Sequence, residues 1–98
     1  MFVRVWEFEV SAEHAGAFVS SYAANGAWSQ LFARGDGYVD SRLYRDVDDA
    51  RRFITVDRWR DLDSWQRFLD RWSPEYEALD RRLDKLTMTE RLVIEGSL

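Results

Sequence analysis

An α+β fold with the element order β-α-β-β-α-β is predicted by three observations on this chain of 98 residues. Residues 2–10, 38–45 and 52–59 alternate in side-chain character at period two, and 87–95 form a closing strand. Residues 12–24, and a longer stretch after Asp61, repeat apolar side chains at helical spacing instead. The turn between the second and third strands is too short for a helix, so those two pair as an antiparallel hairpin. The result is the ferredoxin-like plan, a four-stranded antiparallel sheet with helices on one face. Its length allows one domain, 1–98.

The first strand carries Phe2, Arg4, Trp6, Phe8 and Val10 on one face and Val3, Val5, Glu7 and Glu9 on the other. Apolar residues on both faces predict a central strand covered on each side. Ser11 is placed as a helix N-cap, with Glu13 in the first turn to complement the dipole. Phe18, Val19 and Tyr22 form the helix stripe, and Asn25-Gly26 stops it. Residues 27–33 add short helical turns with Trp28, Leu31 and Phe32 facing inward, and Gly35-Asp36-Gly37 is a turn.

Strand 38–45 places Val39 and Leu43 on one side and Tyr38, Arg42 and Tyr44 on the other, and its charge marks it as an edge. Strand 52–59 sets Phe53, Thr55, Asp57 and Trp59 against Ile54, Val56 and Arg58. Asp61 caps the next helix, whose stripe is Leu62, Trp65, Phe68, Leu69 and Trp72. Ser73-Pro74 restarts it as a second piece, because Pro is tolerated at a first helical position. Residues 87–95 close the sheet and Gly96 ends them.

Composition excludes several functions. The net charge of −4 argues against a nucleic-acid partner, which needs a basic face. No apolar run reaches the roughly 18 residues of a membrane span, and the N-terminus lacks a signal-peptide pattern, so the expectation is a cytoplasmic protein with no membrane partner. With no Cys and one His, thiolate and multi-His metal sites are excluded, and no metal or other cofactor is expected. Two helical pieces cover only one sheet face. The other predicts a homodimer through the open sheet face. The fifteen aromatic residues are then assigned to a dimer interface plus a pocket on the helix side.

The chain resembles the antibiotic biosynthesis monooxygenase-like family of dimeric α/β-barrel proteins. The residues that carry the resemblance are Trp6-Glu7-Phe8, Tyr22, Asn25-Gly26-Ala27-Trp28, Leu31-Phe32 and Gly37-Tyr38. They continue through Phe53-Ile54-Thr55-Val56-Asp57-Arg58-Trp59, Phe68-Leu69 and Tyr76-Glu77-Ala78-Leu79-Asp80. The resemblance implies the fold above and a range of activities, including cofactor-free oxidation of phenolic or quinol-like substrates, haem degradation, isomerisation and cyclisation. Haem-degrading relatives carry Asn, Trp and His where this chain aligns Trp6, Phe68 and Ala78. The haem ligand is therefore missing. Many relatives also place a His where Phe68 stands.

The function expected is a cofactor-independent monooxygenase-like protein acting on a small or polycyclic aromatic. The alternatives are a non-catalytic small-molecule binding or accessory protein and a polyketide-type cyclase or isomerase. Candidate pocket residues are Tyr22, Trp28, Asp57, Trp65, Tyr76 and Arg42, with no catalytic residue assigned. Trp and Tyr offer flat faces and one donor each. Trp59 and Trp72 carry the same chemistry, with core packing as the alternative for every aromatic. A charged residue on a central strand must be paired or functional, which applies to Asp57, Arg58, Arg4 and Arg42. For a cyclase or isomerase, Asp57 is the carboxylate nominated as base, with Glu90 behind it.

Overall fold

The computed structural model describes all 98 residues. The strands are β1 (Phe2–Glu9), β2 (Tyr38–Arg45), β3 (Arg52–Trp59) and β4 (Thr89–Ser97). The helices are α1 (Ala15–Tyr22), α2 (Ala27–Phe32) and α3 (Leu62–Leu83), followed by a 3₁₀ turn at Asp84–Leu86. The sheet is antiparallel in the order β2-β3-β1-β4, so the two strands with apolar residues on both faces are central. All helices cover one face. The sheet is open and not closed into a barrel within the chain. No helix is long and apolar enough to cross a membrane.

Several boundaries move for physical reasons. Residues 12–14 form turns, and α1 begins only at Ala15. The Ser11 hydroxyl engages the His14 ring at 3.2 Å and caps no backbone N–H, so the predicted start at residue 12 is not held. The N-cap of α2 is Gly26, where any Cβ would collide with the Ser21 carbonyl. That close approach requires glycine. Gly37 takes φ +94° in the turn before β2, which L side chains rarely adopt. β4 runs two residues later than predicted, and Gly96 lies inside it, paired with Val3.

In α3, Asp61 caps as predicted, accepting from the Ser64 N–H at 2.8 Å. The helix breaks at Trp72 (φ −121°, ψ 15°), two residues before Pro74. Proline lacks an N–H and its ring obstructs the preceding turn, so the restart predicted at Ser73-Pro74 appears as a kink.

The register of β2 is corrected. A bulge at Val39 lets Tyr38 pair with Trp59 and Asp40 with Arg58. The extra residue puts Tyr38 on the helix side with Ser41 and Leu43, and Arg42 and Tyr44 on the open side. A second bulge, at Val93 in β4, accompanies pairing of Val5 with Ile94 and of Trp6 with Leu92.

The core lies between sheet and helices. It centres on Phe8, Phe18, Phe53, Trp59 and Phe68, whose rings meet edge-on or tilted at centroid separations near 5 Å. These offset geometries suit the aromatic quadrupole. The assignment of surplus aromatics to a dimer interface is corrected, because Tyr44 is the one aromatic side chain paired onto the open face. That face is aliphatic, with Val3, Val5, Ile54 and Val56 half-buried and Ile94 53% exposed. Charge pairs flank it, Arg58 with Asp40 at 2.6 Å and Arg52 with Glu7.

Candidate functional site

A cleft opens on the helix side where β1, β3 and β4 meet α1, α2 and the second half of α3. Its cavity volume is about 90 Å³, open to solvent at its mouth, which is smaller than the usual small-molecule site. Alternation on β1 sends Arg4, Trp6 and Phe8 into it, and alternation on β3 sends Thr55 and Asp57. Tyr22 and Trp28 arrive from α1 and α2. The kink at Trp72 precedes the half of α3 that contributes Tyr76 and Asp80.

Of the candidates expected from sequence, Tyr22, Trp28, Asp57 and Tyr76 line this one cleft. Trp65 stands behind the lining, with its ring 6.1 Å from Tyr76 and the Arg4 guanidinium 4.2 Å from its ring centroid. Arg42 does not join them. It lies on the open face, with 59% of its side chain exposed, 3.5 Å from Asp40. Trp59 is fully buried core, and Trp72 lies outside the cleft with the Arg34 and Arg71 guanidinium groups 5.1 and 4.2 Å from its ring centroid.

Asp57 is the chemically distinctive residue. It is buried on a central strand, opposite Arg4 in the β1–β3 register. Burial pushes its carboxyl from an ordinary value near 3.8 up to about 6, against opposing pulls from the Ser41 hydroxyl and Arg4. Ser41 Oγ donates to Asp57 Oδ1 at 2.7 Å, and the Tyr38 hydroxyl donates to Ser41 Oγ at 2.7 Å. The β2 bulge puts Tyr38 on the correct face for this chain, which fixes the rotamer of the carboxylate.

Arg4 is buried as well, and its Nε donates to Glu95 Oε1 at 3.1 Å. Its guanidinium lies 4.2 Å from the Trp65 ring centroid and 5.6 Å from that of Trp6, so the cation is held by one ion pair and two rings. Burial raises the Tyr76 phenol, while Arg4 beside it pulls the other way. Burial likewise pushes Tyr22 up to about 12, although the Trp28 indole near its hydroxyl opposes this. That indole N–H still has no acceptor at hydrogen-bond geometry and is shut off from solvent. A buried donor without a partner is costly, and this one belongs to a cleft-lining residue.

Sequence reasoning weighed Arg4 but did not place it among the pocket candidates. The signal was available: Arg4 shares a face with Trp6 and Phe8, which selects it over Arg42. Asp80 and Ser41 carried no such signal. The cleft therefore presents a buried carboxyl able to exchange a proton near neutral pH, a fixed cation beside it and flat aromatic walls.

The sequence profile of the family described as antibiotic biosynthesis monooxygenase matches residues 1–82. Among solved structures, the chain is similar to SnoaB, a cofactor-independent oxygenase from Streptomyces nogalater, crystallised as a variant. That match has a TM-score of 0.73 and 23% identity, covering 99% of this chain and 91% of the other. A protein from Deinococcus radiodurans matches with a TM-score of 0.67 and 18% identity, over 100% and 92% of the two chains. One from Pseudomonas aeruginosa gives 0.68 and 15%, over 99% and 92%. At these identities the likenesses establish the fold. A search of curated proteins finds no match.

Proposed function

The chain belongs to the antibiotic biosynthesis monooxygenase family, and from that premise we propose that it oxidises a small or polycyclic phenol- or quinol-like aromatic with O₂ and no cofactor. The observation that carries this reading is the buried Asp57 carboxyl, poised at about 6 beside Arg4 on the wall of an aromatic cleft. The similarity in fold to SnoaB, a cofactor-independent oxygenase, supports it.

In this reading Asp57 takes a proton from an activated ring carbon, leaving a carbanion whose charge spreads onto the phenolic oxygen. Arg4, opposite Asp57 and on the cleft wall, stabilises that oxygen as charge develops. The anion passes one electron to O₂, and the radical pair combines into a peroxide anion on the same carbon, which takes the proton held by Asp57. Asp57 then removes the second hydrogen of that carbon as the O–O bond breaks and a carbonyl forms, and it passes that proton to the departing hydroxide to give water. A CH₂ and one O₂ become a C=O and one H₂O, so atoms and electrons balance.

An oxygen electrode tests the proposal with a panel of compounds bearing an activated ring CH₂, such as anthrone and 1,8-dihydroxyanthrone. The expected result is uptake of one O₂ per carbonyl formed, unchanged after treatment with a chelator. No uptake above the buffer rate across the panel, or uptake abolished by chelation, contradicts it. Cyclisation draws on the same wall, where Asp57 and Glu90 both face the cleft. Product formation without O₂ consumption identifies that chemistry instead.

The assembly proposed is a cytoplasmic homodimer through the open sheet face. Its support is the aliphatic centre formed by Val3, Val5, Ile54, Val56 and Ile94, with charge pairs at both ends. Apolar centre and polar rim is the anatomy of a self-complementary interface.

A further inference from the structure

We infer that Tyr38 and Ser41 are positioning residues for Asp57: their hydroxyls form a one-way chain that engages Oδ1, favours the carboxylate and leaves Oδ2 as the atom that exchanges protons with the cleft. This rests on the reading of Asp57 as the base and names the residues that hold it in that role.

The direction of the chain follows from its protons. A hydroxyl carries one. Tyr38 donates its proton to Ser41 Oγ at 2.7 Å, and Ser41 donates its own to Asp57 Oδ1 at 2.7 Å. An ionised carboxylate only accepts, so the chain runs one way whenever Asp57 is charged. Hydrogen bonds to a charged acceptor are the stronger kind, and each donor in a chain polarises the next. Ser41 thus opposes the burial that favours the protonated form, and Tyr38 acts through Ser41. Neither hydroxyl lines the cleft. Ser41 is buried directly opposite Asp57 in the β2–β3 register, and the bulge at Val39 brings Tyr38 to the same face.

The second carboxylate oxygen is left open. Asp57 Oδ2 accepts no hydrogen bond, whereas Oδ1 is held by Ser41. The buried side-chain polar atoms that have neither a partner nor contact with solvent are the Trp28 and Trp59 indole nitrogens. Oδ2 therefore reaches solvent, and it does so on the cleft wall, where Asp57 is a lining residue. Arg4 stands opposite in the β1–β3 register, but its ion pair is with Glu95, so it does not occupy Oδ2. The other charged and titratable groups around Asp57 are Asp40 from β2, Tyr76 from α3, and the exposed Asp80 and Glu90 at the mouth. Asp40 is itself bonded to Arg58. None of these groups donates to the carboxylate.

The test follows the Asp57 side-chain carboxyl ¹³C resonance from about pH 4 to 9, assigned by its absence in Asp57→Asn. Ser41→Ala is expected to raise its midpoint from about 6 to about 7 or higher. Tyr38→Phe keeps a ring against Phe32 and Trp59. It is expected to raise the midpoint by less, with no added effect in the Ser41→Ala background. With anthrone as substrate, the acid limb of kcat/KM should follow the midpoint. Ser41→Ala then loses about five-fold at pH 6, while KM holds within about two-fold. An unmoved midpoint in either variant, or a Tyr38→Phe effect that persists in the Ser41→Ala background, overturns the inference and leaves the reading of the cleft intact. A midpoint that moves as expected while the rate profile stays fixed upholds the chain and overturns Asp57 as the base.

Discussion

Asp57→Asn is expected to lower kcat/KM by about 10²–10⁴-fold, the usual contribution of a positioned general base, while making the folded protein more stable at neutral pH. The two effects have one cause. The carboxyl moves from 3.8 to about 6 on folding, so the folded state holds its proton more tightly than the unfolded chain. Stability from this group is fully present below about 3.8 and is lost as pH rises through about 6. Above both values the ionised carboxylate costs the fold about 3 kcal/mol at most.

Asn keeps an oxygen for the Ser41 hydroxyl and carries no charge, so the variant escapes that cost. Urea unfolding of both proteins between pH 4 and 8 measures it. The difference between them isolates Asp57, because the ion-paired surface carboxylates Glu7, Asp40, Asp46 and Asp61, all held low, are common to both. The advantage of the variant is expected to grow between pH 4 and 6.5. A flat difference contradicts the account of Asp57, and a gain in stability without loss of turnover removes its catalytic role. A destabilised group at a reacting position is the pattern expected when function is favoured over stability.

Charging the open sheet face has the second large effect. Val5 sits at its centre, paired with Val56 on one side and Ile94 on the other. In a two-fold interface each substitution occurs twice, so Val5→Asp buries two unpaired carboxylates of like sign. Several kcal/mol for each of the two charges raises the dimer dissociation constant by at least about 10⁴-fold. Sedimentation velocity is expected to show a dimer for the wild type at about ten micromolar, and a monomer for the variant under the same conditions. A monomeric wild type contradicts the proposed assembly. The cleft lies on the opposite side of the sheet, so the variant should retain ligand binding, which separates dimer loss from unfolding.

The legible part of this molecule was what alternation and helical spacing determine. Strand order followed from the two-faced apolar content of β1 and β3, and the same alternation placed Asp57 on a covered face. The kink in α3 was readable because Pro74 removes a backbone donor. The bulges were hidden. Val39 inserts one residue into β2, and a strict period of two then assigns Tyr38 to the wrong face and conceals the Tyr38–Ser41–Asp57 chain. Val93 plays the same part in β4. The acidic mouth was unreadable for another reason. Asp80 and Glu90 come from a helix and a strand joined by a 3₁₀ turn, and only the closed fold brings them to one opening.

The central claim is that the cleft between sheet and helices is where an oxygen-bearing aromatic binds. The indole resonance of Trp28 tests it most directly, because its ring lines the cleft and its buried N–H stands beside the Tyr22 hydroxyl. Titration with 5-hydroxyindole, followed in the ¹H–¹⁵N spectrum, should shift the Trp28 indole signal through the ring current of the bound aromatic. Trp59, equally buried and unpaired but outside the cleft, should stay in place. A Trp28 signal that does not move at saturation, or shifts confined to Trp72 and the arginines around it, contradicts the assignment of the site.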